Sequence, residues 1–178
     1  MELAKRVGLT SLAAAPGGGW LLATHRSPPD AWGWGGPGAI RVVHVTEEGK
    51  PDPTQPQEAA NPTDKELHPT WLDVNGPGRS YWPHGQTATV WDGRHWLVVW
   101  TRYACVGEKK ATLMGGDLVA LTVGGWQRTA DVATSVASDA AAEVEPALAT
   151  DGDGGVMCVY EKRAEGRTAI AARLLRSR

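Results

Sequence analysis

The stretch VWDGRHWLVVWTRY (Val90 to Tyr103) decides how the chain is read. An Asp-Gly pair sits between two runs rich in Val, Leu and Trp, the signature of a tight β-hairpin. A hairpin that occurs once says little. A hairpin that recurs makes the chain a repeat protein, so internal similarity comes first. The pattern returns at LATDGDGGVMCVYEKR (Leu148 to Arg163) and, more loosely, at LAAAPGGGWLLATHR (Leu12 to Arg26). Gly17, Gly93 and Gly152 fall at matching turn positions, and WLLAT, WLVVW and VMCVY match in size and hydrophobicity.

Each copy is followed by a further strand pattern. These are GAIRVVHVT (Gly38 to Thr46), GDLVALTVG (Gly116 to Gly124) and TAIAARLLR (Thr168 to Arg176). Ile40, Leu118 and Ile170 correspond, as do Val42, Ala120 and Ala172, at the period of two that a strand requires. The chain has 178 residues, 22 Gly, 12 Pro and 9 Trp, but no Phe. Many turn formers and few long helical patterns predict an all-β fold.

TATVWDGRHWLVVWTRY with GDLVALTV, and PALATDGDGGVMCVYEKR with AIAARLL, resemble a bacterial β-propeller repeat family. In that repeat a P-A-V-A-x-D-G strand turns into Y-L-V-V-W, and an I-x-A-x-R-V strand follows. The first copy departs from the pattern at Pro16 and Thr24. The third has one extra turn residue and ends in Tyr160 rather than Trp. The resemblance implies three four-stranded antiparallel blades in a single domain over 1–178. They span about residues 8–75, 84–135 and 143–178, and residues 2–7 form a latching strand for the last blade. It implies no single activity, because propellers host many.

Typical rings hold about 4–8 blades. Three blades are half of a six-bladed ring. The expected partner is a second copy, in a homodimer closed by two-fold symmetry, or a different chain that supplies the missing blades. A compact β-sandwich of short strands is the alternative fold.

With the strands of a blade lettered A to D from axis to rim, the long B–C and D–A connections of a propeller share one end. RSPPDAWGWGGPG (Arg26 to Gly38), NGPGRSYWPHG (Asn75 to Gly85) and RYACVGEKKATLMGG (Arg102 to Gly116) are expected there as loops. Trp32, Trp34, Tyr81, Trp82, His84, Arg102 and Tyr103 are the candidate ligand-binding residues. Their rings would stack on a sugar or clasp a peptide, and Arg and His would add directional hydrogen bonds. The alternative is that these aromatics pack the loops and the seam between half-rings.

No catalytic set, metal site or cofactor motif stands out. The five His lack the i, i+4 zinc spacing, and no Ser sits in a nucleophile elbow. DGDGG (Asp151 to Gly155) reads as hairpin shaping rather than a calcium loop. His84, Gln86, Glu143 and Glu145 are the polar residues a propeller would bring towards its axis. Eighteen basic against 20 acidic residues give a net charge of −2, which points to no nucleic-acid partner. No apolar run is long enough to span a bilayer. The opening MELAKRVGLTSLAAAPGGG lacks a signal-peptide pattern, so the chain reads as cytoplasmic or already trimmed, with the compartment open. Cys158, in an apolar run, reads as a buried free thiol, and Cys105 as a loop residue. The expected function is a non-catalytic binding or assembly module for a carbohydrate, peptide or protein. The alternatives are a structural subunit of a larger complex, or a propeller hydrolase or lyase acting on glycans.

Overall fold

A computed structural model describes residues 10–26, 39–50, 79–80, 86–106, 112–124, 127–128 and 134–176. All regular structure among them is β, in three antiparallel sheets with no helix. The first sheet runs in chain order through β1 (Thr10–Ala14), β2 (Trp20–Arg26) and β3 (Ala39–Val45). The middle sheet holds β4 (Arg79–Ser80), β5 (Thr87–Trp91), β6 (His95–Val106), β7 (Thr112–Gly124), β8 (Gln127–Arg128) and β9 (Thr134–Ala137). Here β5 and β4 pair with successive halves of β6, while β8 and β9 share the other edge of β7. The third sheet is β10 (Ala142–Thr150), β11 (Gly155–Ala164) and β12 (Arg167–Arg176), again in chain order.

The sheets stack face to face, with the middle one between the others. Period-two alternation assigns each side chain to a side. On β6, Trp96, Val98 and Trp100 point to the first sheet and meet Leu21, Ala23 and Val42 in one core. Leu97 and Val99 point the other way, towards Cys158 and Tyr160 of the third sheet. Strand β7 divides likewise. Val119, Leu121 and Val123 face the first sheet, and Leu118 and Ala120 the third. This two-sided burial explains why WLVVW is continuously apolar instead of alternating with polar residues.

The inner strands also touch across the stack, β5 lying against both β1 and β10. Ser11 Oγ donates to Thr87 Oγ1 at 3.1 Å and lies 2.6 Å from Thr89 Oγ1, a polar seam between β1 and β5. At the hairpin ends, Gly154 N donates to the backbone carbonyl of Asp92 at 2.6 Å, tying the middle turn to the third.

Two expectations change in the middle sheet. Arg102 to Gly116 is mostly strand, because β6 and β7 continue past it through the pairs Ala104↔Met114, Cys105↔Leu113 and Val106↔Thr112. Cys105 is therefore in a ladder, with β4 paired on its other side. A register shift between Arg102 and Ala104 lets the long hairpin bend. The fourth strand expected near 126–135 is met among the described residues by β8 and β9, both on the edge of β7, and the pairing of β9 shifts register between Leu118 and Val119. The latching strand at 2–7 and the fourth strand of the first repeat lie outside the described residues.

Candidate functional site

The two ends of the stack differ in chemistry. At one end the turns after β1, β5 and β10 are short, and their geometry is fixed locally. Asp92 is buried, and its Oδ1 accepts the amides of Arg94 at 2.8 Å and His95 at 2.7 Å. Asp151 does the same in the third turn, accepting Asp153 N at 2.8 Å and Gly155 N at 2.9 Å. These are turns that Asp closes through its own backbone neighbours, and that accounts for both carboxylates. The amides hold the Asp151 carboxyl below its usual range.

The other end carries the titrating groups. Glu143, near the start of β10, is 1% exposed. That strand comes close to the middle sheet because Gly116 has no side chain. A Cβ there would sit 3.0 Å from Val144 Cγ1 and 3.2 Å from Glu143 O. Asp139, in the turn before β10, donates its amide to Glu143 Oε2 at 3.5 Å, and its own Oδ1 accepts from Ala141 N at 2.8 Å. Lys162 Nζ binds Asp139 Oδ2. The three groups titrate apart. Lys162, with help from the Ala141 amide, pulls Asp139 down to about 2, and Asp139 in turn raises Lys162. Burial, reinforced by the neighbouring Asp139 carboxyl, pushes Glu143 up to about 7. A carboxyl poised near neutrality can exchange a proton at physiological pH. A shallow depression beside it is lined by Asp139, Ala141, Lys162 and Glu165. Glu143 is not in that lining, so its proton is enclosed while Asp139 and Lys162 face solvent.

Trp32, Trp34, Tyr81, Trp82 and His84 lie outside the described residues. Arg102 and Tyr103 are on β6, Arg102 opposite Asp117 and Tyr103 within the register shift that follows. The third sheet has no long connection at this end. Glu165 (φ 50°) and Gly166 (φ 73°) make a two-residue hairpin between β11 and β12.

Some residues that matter were not evident from the sequence. His44 is fully buried and meets Trp96 edge-on, with ring centroids 5.2 Å apart. The alternation of RVVHV carries the signal, since it puts His44 on the same face as Val42. The Asp139–Lys162 contact joins positions 23 apart, and no local pattern announces it. Cys158 is a free, fully buried thiol, raised to about 11 by burial, and so is not a nucleophile at neutral pH. Among the described residues no three His, Cys, Asp or Glu converge as a metal would need, and no helix is long and apolar enough to cross a membrane. Comparison of the chain with protein-family models, curated proteins and solved structures returns no match in any of the three.

Proposed function

We propose that the chain is a run of three β-propeller blades that serves as a non-catalytic binding or assembly module. Its ligand contacts would come from the Trp- and Tyr-rich segments around Trp32, Trp34, Tyr81, Trp82 and His84. The observation that carries the reading is the equivalence of the two interfaces between sheets. Trp20, Trp96 and Val156 each pair with the last residue of the preceding inner strand, at Ala14, Trp91 and Thr150. Numbered from that position, Leu21 and Ala23 of the first sheet match Leu97 and Val99 of the middle one, and both pairs face the next sheet in the chain. Trp96, Val98 and Trp100 match Val156, Cys158 and Tyr160 on the opposite faces. Sheets that stack in one sense, with their inner strands in contact, favour propeller packing over a two-sheet sandwich, whose sheets pair only once.

The Trp and Tyr rings of these segments are suited to stacking on sugar rings or to gripping an extended peptide or a protein surface. The test is binding to glycan and peptide arrays by the unaltered chain and by Trp34→Ala and Trp82→Ala. Binding that falls at least tenfold in the variants, with unchanged circular dichroism, supports the reading. Binding that survives both substitutions removes these segments from it.

A second reading, a propeller hydrolase or lyase acting on a glycan, draws on Glu143 and its titration near neutrality. Its burial weighs against it, because a general acid must come within hydrogen-bond reach of the substrate. Glu143→Gln would abolish turnover under that reading and leave ligand binding unchanged under the first.

A further inference from the structure

The third sheet presents an apolar face to solvent. Met157 is 42% exposed, Val159 36%, Ile170 71% and Leu174 56%. They form one patch, because β11 and β12 pair Met157 with Leu174, Val159 with Ala172 and Glu161 with Ile170. Ala147 and Ala149 extend it across β10, opposite Val159 and Met157. Charge gathers at one end, where Glu161, across from Ile170, binds Arg163 at 2.6 Å. An exposed apolar patch bordered by charge marks a protein interface.

The repeat indicates what covers it. Met157 and Val159 occupy the positions of Leu97 and Val99, and of Leu21 and Ala23 before them. In both earlier sheets those positions are packed against the next sheet along the chain. The exposed face therefore continues an interface made twice already, and its complement is the opposite kind of face, the one that carries Trp96 in the middle sheet. The first sheet has such a face without a sheet on it among the described residues: Trp20, Leu22 and Leu12, the last 60% exposed. Val43, paired with Leu22, lies on the same side and is already buried, and Trp20 and Leu22 are half-buried, so the open part is at Leu12.

We infer that the Met157–Val159–Ile170–Leu174 face packs on the Trp20–Leu22–Leu12 face of a second copy of this chain. This rests on the propeller reading above. A head-to-tail contact closes into a ring if the rotation allows. Two copies supply six sheets, within the usual range of about 4–8, whereas three copies would supply nine. The register is set as well. His44 is paired with Leu21, and it meets Trp96 across the first interface. Leu174 is paired with Met157 in the same way, so Leu174 of one copy meets Trp20 of the other.

Light scattering tests the assembly first. The chain should run at about twice 18.9 kDa, and Val159→Asp should halve that mass without changing the circular dichroism. A monomeric parent chain, or a dimer indifferent to Val159→Asp, overturns the inference. Thiol cross-linking in a Cys105→Ser background then tests the pairing. Trp20→Cys with Leu174→Cys in one chain should give covalent dimers with a short bifunctional reagent, and either substitution alone should not. Leu174→Cys that cross-links to itself means a face-to-face dimer and overturns the pairing. A monomer whose Leu174→Cys thiol resists alkylation means that this chain covers its own face, which also overturns it. Array binding lost in Trp34→Ala and Trp82→Ala is read independently of mass, so a failed dimer and a failed binding module give different results.

Discussion

Asp92 shows how much one side chain can settle. Its carboxylate closes the turn between β5 and β6, and its carbonyl holds the amide of Gly154 in the neighbouring turn. Asp92→Ala removes both side-chain bonds and leaves two amides unpaired. It should cost about 2 kcal/mol in urea unfolding, well above Asp151→Ala, whose carboxylate is exposed. Gly93 beside it has φ 107°, and a Cβ there would run into the carbonyl of Gly152. Gly17 has φ 94° and open space around it. Gly17→Ala should cost about 1 kcal/mol for the backbone alone. Gly93→Ala should cost more, because it also forces two turns apart. Glu143 sets a pH dependence. Its folded pKa, about 7, lies above the ordinary 4.5, so the fold favours the neutral carboxyl. That contribution is complete below about pH 4.5 and lost as pH rises through about 7, on the order of 3 kcal/mol. The depressed Asp139 acts in a separate window, losing its contribution only as pH falls from 3.8 towards about 2. Unfolding midpoints should therefore decline between about pH 5 and 8, and Glu143→Gln should flatten the decline.

At the scale of the strand, burial on two sides is what distinguishes β6 and β7. Trp100 is fully buried against the first sheet. Trp100→Ala opens a cavity in the shared core and should cost about 3–5 kcal/mol, read as the unfolding midpoint in urea. Trp91 is half-buried and packs edge-on to Trp96, so its loss should cost less. The hairpins were legible in the sequence because Asp-Gly turns and continuous apolar runs are local signals. Strands β1, β5 and β11 begin and end close to where those signals put them. The continuation of β6 and β7 was not legible. Gly115, Gly116 and the lysines before them resemble loop composition, while the pairing that orders YACV against TLM comes from the partner strand. The register shift within the pairing of β9, between Leu118 and Val119 of β7, was hidden for the same reason, since it arises across the ladder. The candidate site was legible only as residue types. Glu143 could be named from its place at a strand start, but its titration depends on its burial and on Asp139 in the preceding turn, which only the fold supplies.

Across the whole molecule, burial falls from the middle sheet outwards. Amide hydrogen exchange should follow it, slowest at Val98–Trp100 and Val119–Leu121, which are covered on both sides. Exchange should be fastest in β12, whose side chains are mostly exposed and which pairs with one strand among the described residues. If a second copy covers β12, its protection should rise with protein concentration while the middle sheet stays unchanged.

The backbone bond from Gly154 to Asp92 has a practical consequence. It knits two neighbouring turns together, and the absence of a side chain at Gly93 leaves no slack between them. A peptide grafted into either turn would have to break that stitch before it could be displayed. The connection at 107–111 joins the far ends of β6 and β7 instead, so a graft there lengthens a hairpin whose register is already pinned by Ala104↔Met114 and Cys105↔Leu113. For anyone using this chain as a scaffold, one end is the hem and the other is the place to embroider.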